Sequence, residues 1–189
     1  MQSSELGTET RIFFSLGSNL GDRWHHLESA LELLAGPDLA LAACSSVYET
    51  EPVEVSEQAD FLNLICEGRS TLTPLEVLAR CLEVEQALGR RRLQPKGPRS
   101  IDVDIILYGD QVLETPELRL PHPGLQTRRF VLVPLVEIAP MVVDPVTGLT
   151  AGELLDRCPD RSRVLPLGPI TYRRSSILRA SANRSPKSR

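Results

Sequence analysis

The chain has no run approaching the roughly 18 consecutive apolar residues of a membrane-spanning helix, which removes that class of protein. Residues 1–10 are polar and acidic, with neither the basic start nor the apolar stretch of a secretion signal. They read as a disordered leader, and a cytoplasmic protein is expected. The four cysteines, Cys44, Cys66, Cys81 and Cys158, form no CxxC pair and have no histidine at zinc spacing. Buried free thiols are expected in place of a zinc site. An excess of basic charge is also missing from the body. The net charge of −4 divides into +6 over the last 17 residues and −10 over the remaining 172. An acidic body argues against nucleic acid as the main partner, since phosphate backbones reward a basic face. No internal repeat and no low-complexity segment interrupts the body.

What is present fits one soluble domain. At 189 residues, 41% hydrophobic and 24% charged, the chain is long enough for a single sizeable core. We expect one domain over residues 11–170, acting as a monomer, followed by a serine- and arginine-rich tail over 171–189 that is disordered and solvated.

Residues 11–16 (RIFFSL) predict a short buried strand that runs into a glycine-flanked turn, Gly17-Ser18-Asn19-Leu20-Gly21-Asp22. Trp24, Leu27, Leu31 and Leu34 recur at helical spacing until Gly36-Pro37 stops them. A strand at about 39–50 and a polar loop at 51–60 follow. Residues 61–70 predict the next strand, with Leu62, Leu64 and Cys66 on one face and Phe61, Asn63 and Ile65 on the other. Thr73, Pro74 and Glu76 supply cap, first-turn proline and capping box for a helix whose members include Leu75, Leu78, Leu82, Glu85 and Leu88. A basic loop, 90–99, leads into a strand at 100–108. The order strand, helix, strand, strand, helix, strand predicts an α+β protein with a ferredoxin-like βαββαβ core. Beyond residue 112, prolines at 116, 121, 123, 134, 140 and 145 punctuate the chain, so the C-terminal half reads as appended short strands and helices.

The sharpest chemical feature is Asp102 and Asp104. Two apart on a strand, they share a face, while Ile101, Val103 and Ile105 take the other. Paired carboxylates repel unless a cation joins them, and hard oxygen ligands suit Mg²⁺. An exposed acidic face paired with arginines is the alternative. Arg90, Arg91, Arg92, Lys96 and Arg99 lie just upstream, the combination of carboxylates and guanidinium forks that phosphoryl transfer needs. His122 is held between Pro121 and Pro123, with Arg128 and Phe130 beyond it. Phe61 and Asn63 place a ring beside an amide, which suits a flat hydrogen-bonding heterocycle, although by themselves a core ring and a strand-edge amide are the favoured reading.

Taken together, SLGSNLGDR, SSVYETEPV, DFLN, ALGRRR, GPRSIDVDIILYG, LPHP and RRFVLVPLVEIAP, spread over residues 11–163, resemble the 6-hydroxymethyl-7,8-dihydropterin pyrophosphokinase family. The resemblance implies transfer of diphosphate from ATP to a pterin alcohol, giving AMP and the pterin diphosphate, a step of folate biosynthesis. It implies that Asp102 and Asp104 hold two Mg²⁺ ions and that Arg90 and Arg99 act with them on the phosphates. Glu85, Arg90, Arg92, Arg99, His122 and Arg128 would serve ATP. Thr50, Glu51, Val53, Phe61, Asn63 and Phe130 would serve the pterin, with Phe61 and Phe130 sandwiching its ring and Gly17 to Asn19 forming a supporting turn. Two positions depart from the family's habit. Lys96 stands where an aromatic residue, often tryptophan, precedes Gly-Pro-Arg, and Phe61 stands where tyrosine is common. Neither touches the metal pair. The rival readings are an RNA-recognition domain, disfavoured by the acidic body, and a catalytically dead nucleotide-binding relative.

Overall fold

The computed structural model describes residues 9–52, 58–89 and 97–172. Strand β1 (Thr10–Ser18) is buried along nearly its whole length, because packed layers cover both of its faces. Ile12, Phe14 and Leu16 enter one hydrophobic cluster, while Phe13 enters a second on the opposite side. The strand runs on through Gly17 and Ser18, so the turn expected from Gly17 starts only at Asn19. Asp22 then caps α1 (Arg23–Leu34) by accepting a hydrogen bond from the His25 amide.

The strand expected over 39–50 is two strands, β2 (Leu39–Cys44) and β3 (Ser46–Thr50), both paired antiparallel with β4 (Phe61–Ser70). Ser45 makes the break. Its amide donates to the Ile65 carbonyl at 2.8 Å, but the Ile65 amide donates to the Ser45 hydroxyl at 3.0 Å, so a side chain stands in for a backbone acceptor. Helix α2 (Pro74–Ala87) starts as its capping box predicts, with Thr73 and Glu76 bonded reciprocally. Its buried face is Val77, Cys81 and Val84, however, and not the leucine stripe: Leu75 and Leu82 are exposed. Leu82 faces a cavity described below, while Leu78 and Leu88 pack at the edge of the first cluster.

The chain then forms β5 (Asp102–Tyr108), a two-strand hairpin of β6 (Leu113–Glu114) and β7 (Arg119–Leu120), α3 (Arg129–Ile138), α4 (Ala151–Arg157) and β8 (Val164–Pro169). The main sheet runs β5-β1-β4-β3-β8, with β2 also on β4, and every pairing is antiparallel. Helices α1 and α2 pack on one face over the first cluster; α3 and α4 cover the other over Phe13, Ile65, Ile106 and Leu107. The molecule is thus a mixed α/β fold with four helices among the described residues. The proline-rich half holds a longer element than its punctuation suggests. Pro134 lies inside α3, where it withholds an N–H from the Phe130 carbonyl, yet Val131, Leu132, Pro134 and Leu135 are all buried. Tertiary burial outweighs the local penalty. Tyr172 and Ile170 still pack against the first cluster.

None of the four cysteines is in a disulfide, three of them are buried, and burial pushes the Cys81 thiol well above its ordinary value. The break at Ser45 gives the first prediction. Ser45→Ala leaves the buried Ile65 amide without its acceptor and should lower stability by about 1–3 kcal/mol. A urea titration would show this as a lower midpoint at constant slope; an unchanged midpoint would mean that the amide finds another partner.

Candidate active site

The register of the sheet builds the floor of the site. On β5, Asp102 and Asp104 point away from Val103 and Ile105, which are in the first cluster. Opposite them on β1 lie Gly17 and Ser15, and opposite these on β4 lie Asn63 and Ile65. Small residues in the central strand therefore leave a hollow between the carboxylates on one side and the amide on the other. The lack of a side chain at Gly17 is required: a Cβ there would stand 2.5 Å from the Asn63 Oδ1. Asn63 is buried and its Nδ2 donates to the Thr50 hydroxyl at 2.7 Å, which fixes the amide.

A cleft of about 680 Å³, counting space open to solvent, rises from this floor. Thr50, Glu51, Phe61, Asn63, Arg99, Asp102, Asp104, Arg128 and Phe130 all line it, with Ser15, Gly17, Pro52 and Gln58. Each ring carries a guanidinium over it, Arg99 5.2 Å from the Phe61 centroid and Arg128 5.8 Å from that of Phe130. Arg99 also pairs with Asp102, Nε to Oδ2, at 2.9 Å. Gly124 makes room for Arg128, because a Cβ there would meet its Cδ at 2.6 Å.

Asn19 ties the edges of the cleft together. Its Oδ1 accepts from the Arg99 amide at 2.8 Å, and its Nδ2 donates to Gln58 Oε1 at 3.0 Å. One buried amide thereby holds the approaches to β5 and β4. Around the same loop, Arg23 donates to the Asp60 carbonyl and Glu49, and Arg163 pairs with Asp60.

A second, wider cavity of about 1000 Å³ lies beyond the same carboxylates. Its walls are Leu78, Leu82 and Glu85 of α2, the hairpin segment Thr115 to Arg119, and His122 with Pro123. Asp102 and Asp104 line both cavities. Glu85 is buried and accepts from the Val103 amide at 2.9 Å, between the two aspartates. The His122 amide donates to the Ile106 carbonyl at 2.9 Å, so β5 also holds the histidine loop. The Gly124 amide donates to His122 Nδ1 at 3.0 Å. That bond puts the ring proton on Nε2 and leaves it a donor. Burial, and then the Arg128 charge, push the imidazole down to about 4 against a smaller opposing effect of Asp102.

The structure thus gathers Thr50, Glu51, Phe61, Asn63 and Phe130 at the first cavity and Glu85 and His122 at the second. Arg99 and Arg128 stand at the first. Arg90, Arg92, Val53 and Lys96 lie outside the described residues. Sequence reasoning missed Ser15, Gln58 and the hairpin segment. Ser15, a polar residue in an otherwise apolar strand, was the one signal available; Gln58 sits in a polar loop where it does not stand out.

Two cavities share a wall of paired carboxylates, an arrangement that suits a group-transfer enzyme with two substrates. A family model described as 7,8-dihydro-6-hydroxymethylpterin-pyrophosphokinase (HPPK) matches residues 13–140. The chain belongs to this family. It is 41% identical over 155 residues to a 2-amino-4-hydroxy-6-hydroxymethyldihydropteridine pyrophosphokinase of Synechocystis, covering 82% of this chain and 78% of that protein. The pyrophosphokinase of the same name from Aquifex aeolicus is 39% identical over 135 residues, or 71% of this chain and 84% of that one. A folic acid synthesis protein of Schizosaccharomyces pombe is 40% identical over 156 residues, 82% of this chain. The chain spans 21% of that longer protein and 22% of its Pneumocystis carinii counterpart. Among solved structures, Plasmodium falciparum HPPK-DHPS with pteroate superposes with a TM-score of 0.67 at 16% identity, over 82% of this chain and 43% of that one, a likeness of fold.

The buried imidazole generates a pH prediction. The unfolded chain takes up this proton near 6.5, whereas the native protein refuses it until about pH 4. The neutral ring's contribution to stability is therefore complete above 6.5 and drains away as pH falls towards 4. His122→Asn should flatten that part of the stability profile; wild-type and variant urea midpoints that fall in parallel between pH 7.5 and 5 would contradict the assignment.

Proposed function

We propose that this chain transfers the β,γ-diphosphoryl group of ATP to the hydroxymethyl oxygen of 6-hydroxymethyl-7,8-dihydropterin, releasing AMP, as a cytoplasmic monomer. We further read its core as ferredoxin-like, because β1, α1, the bent β2/β3 strand, β4, α2 and β5 follow the split βαβ order. The observation that carries the functional reading is the position of Asp102 and Asp104 in the wall common to both cavities.

The first cavity suits the pterin. Phe61 and Phe130 offer ring faces, and the Asn63 amide, fixed by Thr50, offers a directional polar edge. The second suits the nucleotide, with Leu78 and Leu82 as an apolar surface and neutral His122 as a donor. Arg99 and Arg128 stand where phosphates would reach the first cavity.

The donor set also fits magnesium. Among the described residues no group of three or more histidine, cysteine or acidic side chains is arranged to hold a metal. Two carboxylates alone match an ion that takes one or two protein ligands and fills its shell with water and phosphate oxygens. Asp102 and Asp104 would hold two such ions, whose charge offsets that of the ATP phosphates. The hydroxyl oxygen bonds to the β-phosphorus as the bond to the α-phosphate oxygen breaks. AMP leaves with those electrons, and the hydroxyl proton passes to the carboxylate wall. Arg99, held by Asp102 and by Asn19, would keep its guanidinium on the moving group without reorganising.

Asp102→Asn or Asp104→Asn should lower AMP formation by about two orders of magnitude or more while the circular dichroism spectrum stays native. In the wild type, AMP should appear only when ATP, Mg²⁺ and the pterin alcohol are all present. Near-normal AMP formation by either variant would remove the carboxylates from the mechanism. Tight pterin and ATP binding with no AMP would mark a dead relative.

A further inference from the structure

Helix α3 carries Phe130 to the first cavity, but little in its own sequence fixes where it sits. Its N-cap residue, Arg128, makes no capping bond, Pro134 interrupts its hydrogen bonding, and no basic residue lies in its last turn; at the N-terminus the Asp160 carboxylate, from beyond the helix, accepts from the Arg129 amide at 2.9 Å. That last turn holds a carboxylate, Glu137, at the end of the helix where the dipole disfavours negative charge. The reason lies across the interface. The Glu137 carboxylate accepts from the Ser46 amide at 3.0 Å, from the Ser46 hydroxyl at 2.9 Å and from the Tyr48 hydroxyl at 2.8 Å. Tyr48 is buried, and burial together with its bond to Glu137 pushes its hydroxyl up to about 12.

We infer that Glu137 is a positioning residue for the pterin cavity, setting the separation of Phe130 from Thr50. Ser46, Tyr48 and Thr50 lie on one face of β3 by alternation. Phe130 and Glu137, seven residues apart, lie on one stripe of α3, about 10 Å from each other along its axis. Strand and helix are therefore joined like two rails. The carboxylate pins one end, and the cavity, lined by Thr50 and Phe130, opens at the other. Sliding or rotation of α3 would move the Phe130 ring over the Asn63 amide. The second cavity takes no residue from α3 or β3. Loss of the pin should therefore act far more on the pterin than on ATP, whose phosphates meet this helix only at its N-cap, Arg128.

The inference rests on the assignment of the first cavity to the pterin, and the experiment separates the two. KM for 6-hydroxymethyl-7,8-dihydropterin and for ATP is measured in Glu137→Ala, Tyr48→Phe, Ser46→Ala, Phe130→Ala and Leu154→Val. Leu154→Val trims a buried residue of α4 in the same cluster and reports the effect of lost stability alone. Direct binding of 6-hydroxymethylpterin is followed alongside, with Mg²⁺ and α,β-methylene-ATP present. Glu137→Ala should weaken the pterin by about tenfold or more, Tyr48→Phe and Ser46→Ala by less, all with a clearly smaller change in KM for ATP. Should Glu137→Ala not fold, the two milder variants carry the test. A pterin KM unmoved in the clamp variants while Phe130→Ala raises it overturns the positioning role alone. No effect even in Phe130→Ala overturns the cavity assignment and this inference with it. A rise in both KM values, matched by Leu154→Val, overturns it as a general loss of packing.

Discussion

Two negative charges on one face of one strand are the constraint around which this molecule is organised. Asp102 and Asp104 cannot lie side by side in a half-buried wall without compensation, and the protein surrounds them accordingly. Arg99 pairs with Asp102, and Asn19 holds the Arg99 backbone. The strand between the carboxylates is pinned by Glu85 through the Val103 amide, and the histidine loop is pinned to the same strand through Ile106. The residues opposite are small, so space opens above the wall where a larger side chain would have closed it.

The two cavities follow from the position of β5 at the edge of the sheet. An edge strand has a neighbour on one side only. On the inner side, β1 and β4 form the floor beneath the ring-lined cleft. On the outer side, α2 and the hairpin segment form a wider one. A central strand would be flanked by strands on both sides and could not serve two spaces in this way. Helix α3 closes the inner cleft, and Glu137 joins it to β3 at the end away from the site.

Much of this was legible in the sequence where a local rule and the tertiary fold agree. The order of strands and helices, the capping box at Thr73, the opposed faces of β4 and the shared face of Asp102 and Asp104 all follow from period and cap chemistry. What escaped depends on partners distant in sequence. Ser45 breaks a strand only because Ile65 lies opposite, and Leu82 faces a cavity because Val77, Cys81 and Val84 occupy the core. The ten-residue helix containing Pro134 persists because its apolar face is buried, which a proline count cannot show. The partners of Glu137 are about ninety residues away in the chain, a separation that no periodicity encodes.

In the proposed reaction one carboxylate wall serves a donor and an acceptor, so that two phosphoryl units move together. Phosphorus NMR of the wild-type protein with ATP, Mg²⁺ and 6-hydroxymethyl-7,8-dihydropterin tests it most directly. ATP resonances should be replaced by those of AMP and a pair of coupled signals from a diphosphate ester of the pterin. Resonances of ADP with a pterin monophosphate, or of ADP with orthophosphate, would contradict it.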